Sequence, residues 1–128
     1  MSVTYQVFMK TTHSLLQIAL GLYGFTGVRF ELSPNAEEEL YTATVFNHWM
    51  ELYGTEDFED TKDLRFTQYQ CCLSIYNAGY SKGYSDHELW HEQIAKMIAF
   101  FLARVYAKEC VVLREMGLEV AMFPPLDP

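Results

Sequence analysis

Basic residues are scarce in this sequence: nine Lys and Arg stand against 17 Asp and Glu, a formal net charge of −8. So few cations cannot neutralise a run of phosphates, which argues against direct nucleic-acid binding. Cysteine is sparse too, with only Cys71, Cys72 and Cys110. Two are adjacent, a spacing that ordinary disulfide geometry does not bridge, and the count is odd, so a reducing, cytoplasmic setting is expected. Long hydrophobic runs are missing. The run Leu15 to Leu22 is short, is interrupted by Gln17 and has only Lys10 before it, so neither a cleavable leader nor a membrane span is expected. Seven Gly and four Pro form no linker, and no repeat or low-complexity tract divides the 128 residues, which fit one domain with one core.

Aromatic side chains are abundant: nine Tyr, nine Phe and two Trp, in a chain that is 50% hydrophobic. That composition excludes intrinsic disorder. It also exceeds what one small core can hide, so a homodimer is expected as an alternative to a monomer.

The apolar pattern predicts an all-α, single-domain bundle of about four helices. Phe8, Leu15, Leu16, Ala19, Leu22 and Tyr23 predict helix one over residues 4–23, punctuated by Gly21, Gly24 and Gly27. Val28, Phe30 and Leu32 alternate with Arg29 and Glu31, but one lone extended stretch builds no sheet and is expected to be a connector. Ser33-Pro34 predicts the start of helix two, which carries Thr42, Val45, Phe46, Trp49 and Tyr53 and stops at Gly54. Helix three, opened by Asp60 or Thr61, carries Leu64, Thr67, Cys71, Ile75 and Ala78. Ser85 and Glu88 have capping-box spacing and predict helix four, with Leu89, Trp90, Ile94, Ile98, Phe101, Leu102 and Val105, running as far as Met116 or kinking near Lys108. An extended tail is expected from about residue 118.

Charge is distributed unevenly. Residues 31–63 contain Glu31, Glu37, Glu38, Glu39, Glu51, Glu56, Asp57, Glu59, Asp60 and Asp63 against Lys62 alone, a net of −9 that leaves +1 for the rest of the chain. Acids at a helix start and in a loop serve capping and solubility. They also make a surface that steers a basic partner, for which Glu37, Glu38, Glu39, Glu56, Asp57, Glu59 and Asp60 are the candidate charges and Tyr53 and Phe58 the candidate apolar anchors. The expected role is a non-catalytic inhibitor or adaptor whose partner is a protein with a basic surface, such as the groove of a nucleic-acid-binding enzyme. Small acidic inhibitors from phages and other mobile elements are similar in charge and size.

The one motif with possible chemistry is His87-Glu88-Leu89-Trp90-His91. It spells H-E-x-x-H, the zinc-peptidase spacing of two imidazoles on one helical face with a glutamate base. Trp90, and the position in the first helical turn, depart from that pattern. The run His87, Glu88, His91, Gln93, Ile94 resembles the last helix of DinB-like four-helix metalloproteins. The resemblance implies a third histidine from another helix, for which His48 is the candidate, and a zinc, nickel or iron site in which Glu88 acts as base for hydrolase-like or thiol-transfer chemistry. Without a metal, Glu88 reaches back to the Ser85 amide and the histidines are partly exposed at a bundle end. No cofactor is the default, and zinc or another transition metal belongs to this alternative.

The remaining patterns point to structure. Gly21, Gly24 and Gly27 lack the spacing of a dinucleotide loop, and only Lys82 accompanies Tyr76, Tyr80 and Tyr84 as a stacking ladder. Two adjacent cysteines and one distant one supply no second C-x-x-C, so buried thiols are expected.

Overall fold

The computed structural model describes residues 3–55, 59–60, 66–77, 85–107 and 109–124. It overturns the all-α expectation: the chain forms a seven-stranded antiparallel sheet, joined among the described residues by two α-helices. The elements run β1 (Thr4–Lys10), α1 (Leu15–Thr26), β2 (Glu31–Leu32), β3 (Leu40–Val45), β4 (His48–Gly54), β5 (Cys71–Asn77), α2 (Ser85–Val105), β6 (Glu109–Arg114) and β7 (Leu118–Phe123). Their order across the sheet is β2-β3-β4-β5-β1-β6-β7. The first strand of the chain therefore lies inside the sheet, between β5 and β6.

Each expected helix is corrected for a physical reason. Predicted helix one merges two elements, because Thr4–Lys10 is a strand and the true helix starts later, at a capping box in which the Ser14 amide donates to Gln17 Oε1 (2.8 Å) and the Gln17 amide to Ser14 Oγ (3.2 Å). It ends where Gly27, at φ +77°, sends its amide to the Tyr23 carbonyl (2.8 Å). Predicted helix two is the β3–β4 hairpin. Its Thr42, Val45, Phe46, Trp49 stripe mimics helical spacing, while Phe46 and Asn47 take φ values of +49° and +63° at the two-residue turn. A bulky aromatic is a rare occupant of that conformation, so the usual Asn-Gly turn signal is absent. Predicted helix three lies in part outside the described residues, and its Cys71–Asn77 portion is the central strand β5. Predicted helix four ends at Val105; its last part is β6, and the expected tail pairs with β6 as β7.

Both helices pack on one face of the sheet. Alternation along each strand sends Tyr5, Val7 and Met9, Tyr41, Ala43 and Val45, Met50 and Leu52, and Leu73 and Ile75 into that layer, against Ile18 and Leu22 of α1 and Ile94, Ile98 and Leu102 of α2. The alternate residues face the opposite side of the sheet, where Phe8, Cys72, Val111 and Leu113 form a second core with Tyr69. Strands β1, β5 and β6 are therefore buried on both faces and read as continuous apolar runs, which a period search assigns to helices as readily as to strands.

The exit of α2 locks onto α1. Thr11 Oγ1 donates to the Tyr106 carbonyl (2.6 Å), and a Cβ at the buried Gly21 clashes with the hydroxyl edge of the Tyr106 ring. Gly21→Ala is therefore expected to destabilise the protein by about 1–2 kcal/mol through overpacking, although alanine is about 1 kcal/mol better than glycine inside a helix. In a Tyr106→Ala background the same change becomes stabilising. Urea unfolding of the four variants of this cycle measures both signs.

Candidate functional site

Three groups of residues compete as the site: the acids of residues 31–63, the histidines, and an apolar surface on the helix layer. The strand register decides how the acids are arranged. Leu40 pairs with Tyr53, and Gly54 pairs with Cys71, so the segment before β3 and the segment after β4 leave the same end of the sheet. Glu37, Glu38 and Glu39 are exposed in the first segment, and Glu59 and Asp60 in the second. The first is held by the Tyr41 hydroxyl, which donates to Glu39 Oε2 (2.8 Å), and by the Ser33 amide, which donates to the Leu40 carbonyl (2.8 Å). Burial and the adjacent Glu39 push the Tyr41 hydroxyl above its ordinary range. Asp60 also has a local structural role, since its Oδ1 accepts from the Thr67 amide (2.9 Å) and hydroxyl (2.8 Å) at the 3-10 turn Phe66–Gln68. Among the described residues the cation at this end is Lys10, which pairs with Glu109 (3.5 Å) and lies over the Tyr69 ring. Tyr53 lies on the face away from the helices, where it packs against the second core and hydrogen-bonds Ser74 (2.7 Å); burial raises its phenol. Glu56, Asp57 and Phe58 lie outside the described residues.

Two of the three candidate metal ligands do meet. His48 is on the helix face of β4 with Met50 and Leu52, and His91 is one α2 residue of the layer that covers it; both are buried, with ring centroids 4.6 Å apart. The backbone fixes each ring: His48 Nδ1 donates to the Phe46 carbonyl (2.7 Å) and His91 Nε2 to the Ile75 carbonyl (3.1 Å). Tyr5 packs edge-on to His91 at 4.8 Å. The side chains of His87 and Glu88 lie outside the described residues. Among the described residues no group of three His, Cys, Asp or Glu is arranged to hold a metal ion. The pair staples α2 to β4 and β5.

All three thiols are buried. Burial pushes Cys71 and Cys72 up to about 12, with the neighbouring Cys72 adding to the effect on Cys71, and raises Cys110 further. Thiols so shifted are poor nucleophiles near neutral pH.

The apolar surface went unread in the sequence. Phe25 of α1, Met97, Phe100 and Phe101 of α2, and Phe123 of β7 line a groove of about 490 Å³ with Lys96 and Arg104. Phe25 stacks on Phe101 at 4.3 Å, while Phe100 meets Phe123 edge-on at 5.8 Å. Adjacent aromatics inside one helix were the available signal, because Phe100 and Phe101 cannot both face the sheet. No charged residue interrupts α1, whose Leu16, Leu20 and Tyr23 are also exposed.

No protein family, no curated protein and no solved structure matches this chain. No helix among the described residues is long and apolar enough to cross a membrane.

Proposed function

We propose that the protein works by binding a macromolecular partner with a basic surface, as an inhibitor or adaptor, through the acidic end of its sheet. The observation that carries this reading is the register of β3, β4 and β5, which draws Glu37, Glu38 and Glu39 to the same end as Glu59 and Asp60. Two acidic segments that are apart in sequence then act as one field, which raises the encounter rate with a positive patch and discriminates against acidic competitors. The Tyr41–Glu39 hydrogen bond and the Asp60 cap hold parts of both segments in place, so less order has to be imposed on binding.

The test is a salt-graded pull-down comparing wild type with the triple variant Glu37→Lys, Glu38→Lys, Glu39→Lys, followed by stopped-flow association with the recovered partner. All three residues are exposed, so the fold should persist, with a loss of about 1 kcal/mol from the Tyr41–Glu39 hydrogen bond that Glu39→Lys removes. Association is expected to slow by about tenfold or more, with a flatter dependence on salt. Equal rates and equal salt slopes for the two proteins would remove this reading.

A further inference from the structure

We propose that the outer edge of β7 is a self-association surface, on which a second copy of this chain adds its own β7 antiparallel and joins two seven-stranded sheets into one. The two edges of the sheet are unlike. β2 is two residues long and begins at Glu31, with Glu37, Glu38 and Glu39 following it; short, charged edges are what resist pairing. β7 is six residues long, Leu118–Phe123, and Glu119 is its one charged residue. Large exposed apolar side chains flank this edge on both faces of the sheet. Met122, paired with Val111 on the face away from the helices, is 47% exposed, and Leu118 at the start of the strand is 58% exposed. Phe123, paired with Cys110 on the helix face, continues into the groove of Phe100 and Met97. A strand added here gains backbone hydrogen bonds and covers apolar surface above and below the sheet at once.

Charge selects the occupant. At a net −8 the chain repels an acidic strand, and a basic one is drawn to the acidic end. The described charges flanking β7 balance, with Arg104 and Arg114 against Glu115 and Glu119. A nearly neutral, apolar edge is matched by itself. The same arrangement relieves the repulsion between two acidic copies, since β2 lies six strands from β7, about 29 Å at a strand spacing of about 4.8 Å and more than three Debye lengths at physiological salt. A dyad on β7 puts the acidic edges at opposite extremes of a fourteen-stranded sheet and leaves both available to partners, so this inference does not depend on the acidic-end reading.

Sedimentation velocity across the micromolar range tests it, with Met122→Glu as the edge variant and Leu20→Glu, an equal charge change on the exposed face of α1, as the control. Expected are a wild-type species of twice the 14.9 kDa chain mass, a dissociation constant raised about tenfold or more by Met122→Glu, and no change with Leu20→Glu. A wild type that stays monomeric, a dimer that Met122→Glu leaves intact, or one that Leu20→Glu loosens equally overturns the proposal. Should Met122→Glu fail to fold, hydrogen exchange on the wild type decides. Protection of the β7 amides must rise with protein concentration, and concentration-independent exchange overturns the proposal as well.

Discussion

Above pH 9 the protein is expected to lose stability as the pH rises, by roughly 1 kcal/mol per pH unit for a buried thiol. Burial sets the effect. Cys71 and Cys72 ionise near 12 in the fold against an ordinary value of 9.0, and Cys110 is raised in the same direction. Below pH 9 both folded and unfolded chains keep these protons, and the full stability is present. Between 9 and 12 the unfolded chain ionises first and binds fewer protons than the fold, so unfolding becomes easier as pH rises. Urea melts from pH 7 to about pH 10.5 give the slope, and Cys72→Ala should flatten it by about one thiol's share. The same burial makes all three thiols silent to a thiol reagent at pH 8 until denaturant is added. A stability that stays flat to pH 10.5 contradicts this account.

The thiols also show what was legible in the sequence. Their odd number and adjacent spacing already implied unpaired cysteines, because that inference rests on covalent geometry and needs no fold. The charge asymmetry was equally legible, as a matter of counting. Secondary structure was legible only where a local signal was unambiguous. The capping spacing of Ser85 and Glu88 marks the true start of α2, and Gly54 ends β4 where a helix end was expected. Elsewhere the signal was absent or misleading. Turns built on Phe46-Asn47 and Glu115-Met116 place non-glycine residues at positive φ, which turn chemistry does not advertise. β6, Glu109–Arg114, follows α2 closely, and its Cys110, Val111, Val112 and Leu113 are all buried. Sheet faces that are both covered erase the alternation by which a strand is recognised.

The same physics explains the uneven reading of the site. On a helix, His48 falls beside the Phe46 and Trp49 stripe, off its buried face. On a strand, residues 48, 50 and 52 share a face, and that face is the one α2 covers. The union of His48 with His91 was thus named for a different architecture and survives the change of fold. The apolar edge of β7 was illegible for the opposite reason. It exists only because six residues of an expected tail pair with β6, and pairing partners distant from local signals are what one sequence does not display.

Whether that histidine pair packs or ligates is decided by a second large expected effect: His91→Ala should destabilise the protein by about 3–4 kcal/mol, combining a core cavity with the loss of one hydrogen bond. The ring fills space between Tyr5 at 4.8 Å and His48 at 4.6 Å, and its Nε2 donates to the Ile75 carbonyl at 3.1 Å, so α2 loses a buried polar tie to β5. His91→Phe keeps most of the volume and should recover more than half of the loss. A ligand role makes a different prediction, because a metal that binds only the native state adds stability that a chelator removes. Thermal melts of wild type and both variants, each with and without EDTA, therefore separate the two. Packing gives a wild type indifferent to EDTA and a graded loss from Phe to Ala. A wild type that EDTA lowers to the level of His91→Ala, with both variants unresponsive, would assign the pair to a metal.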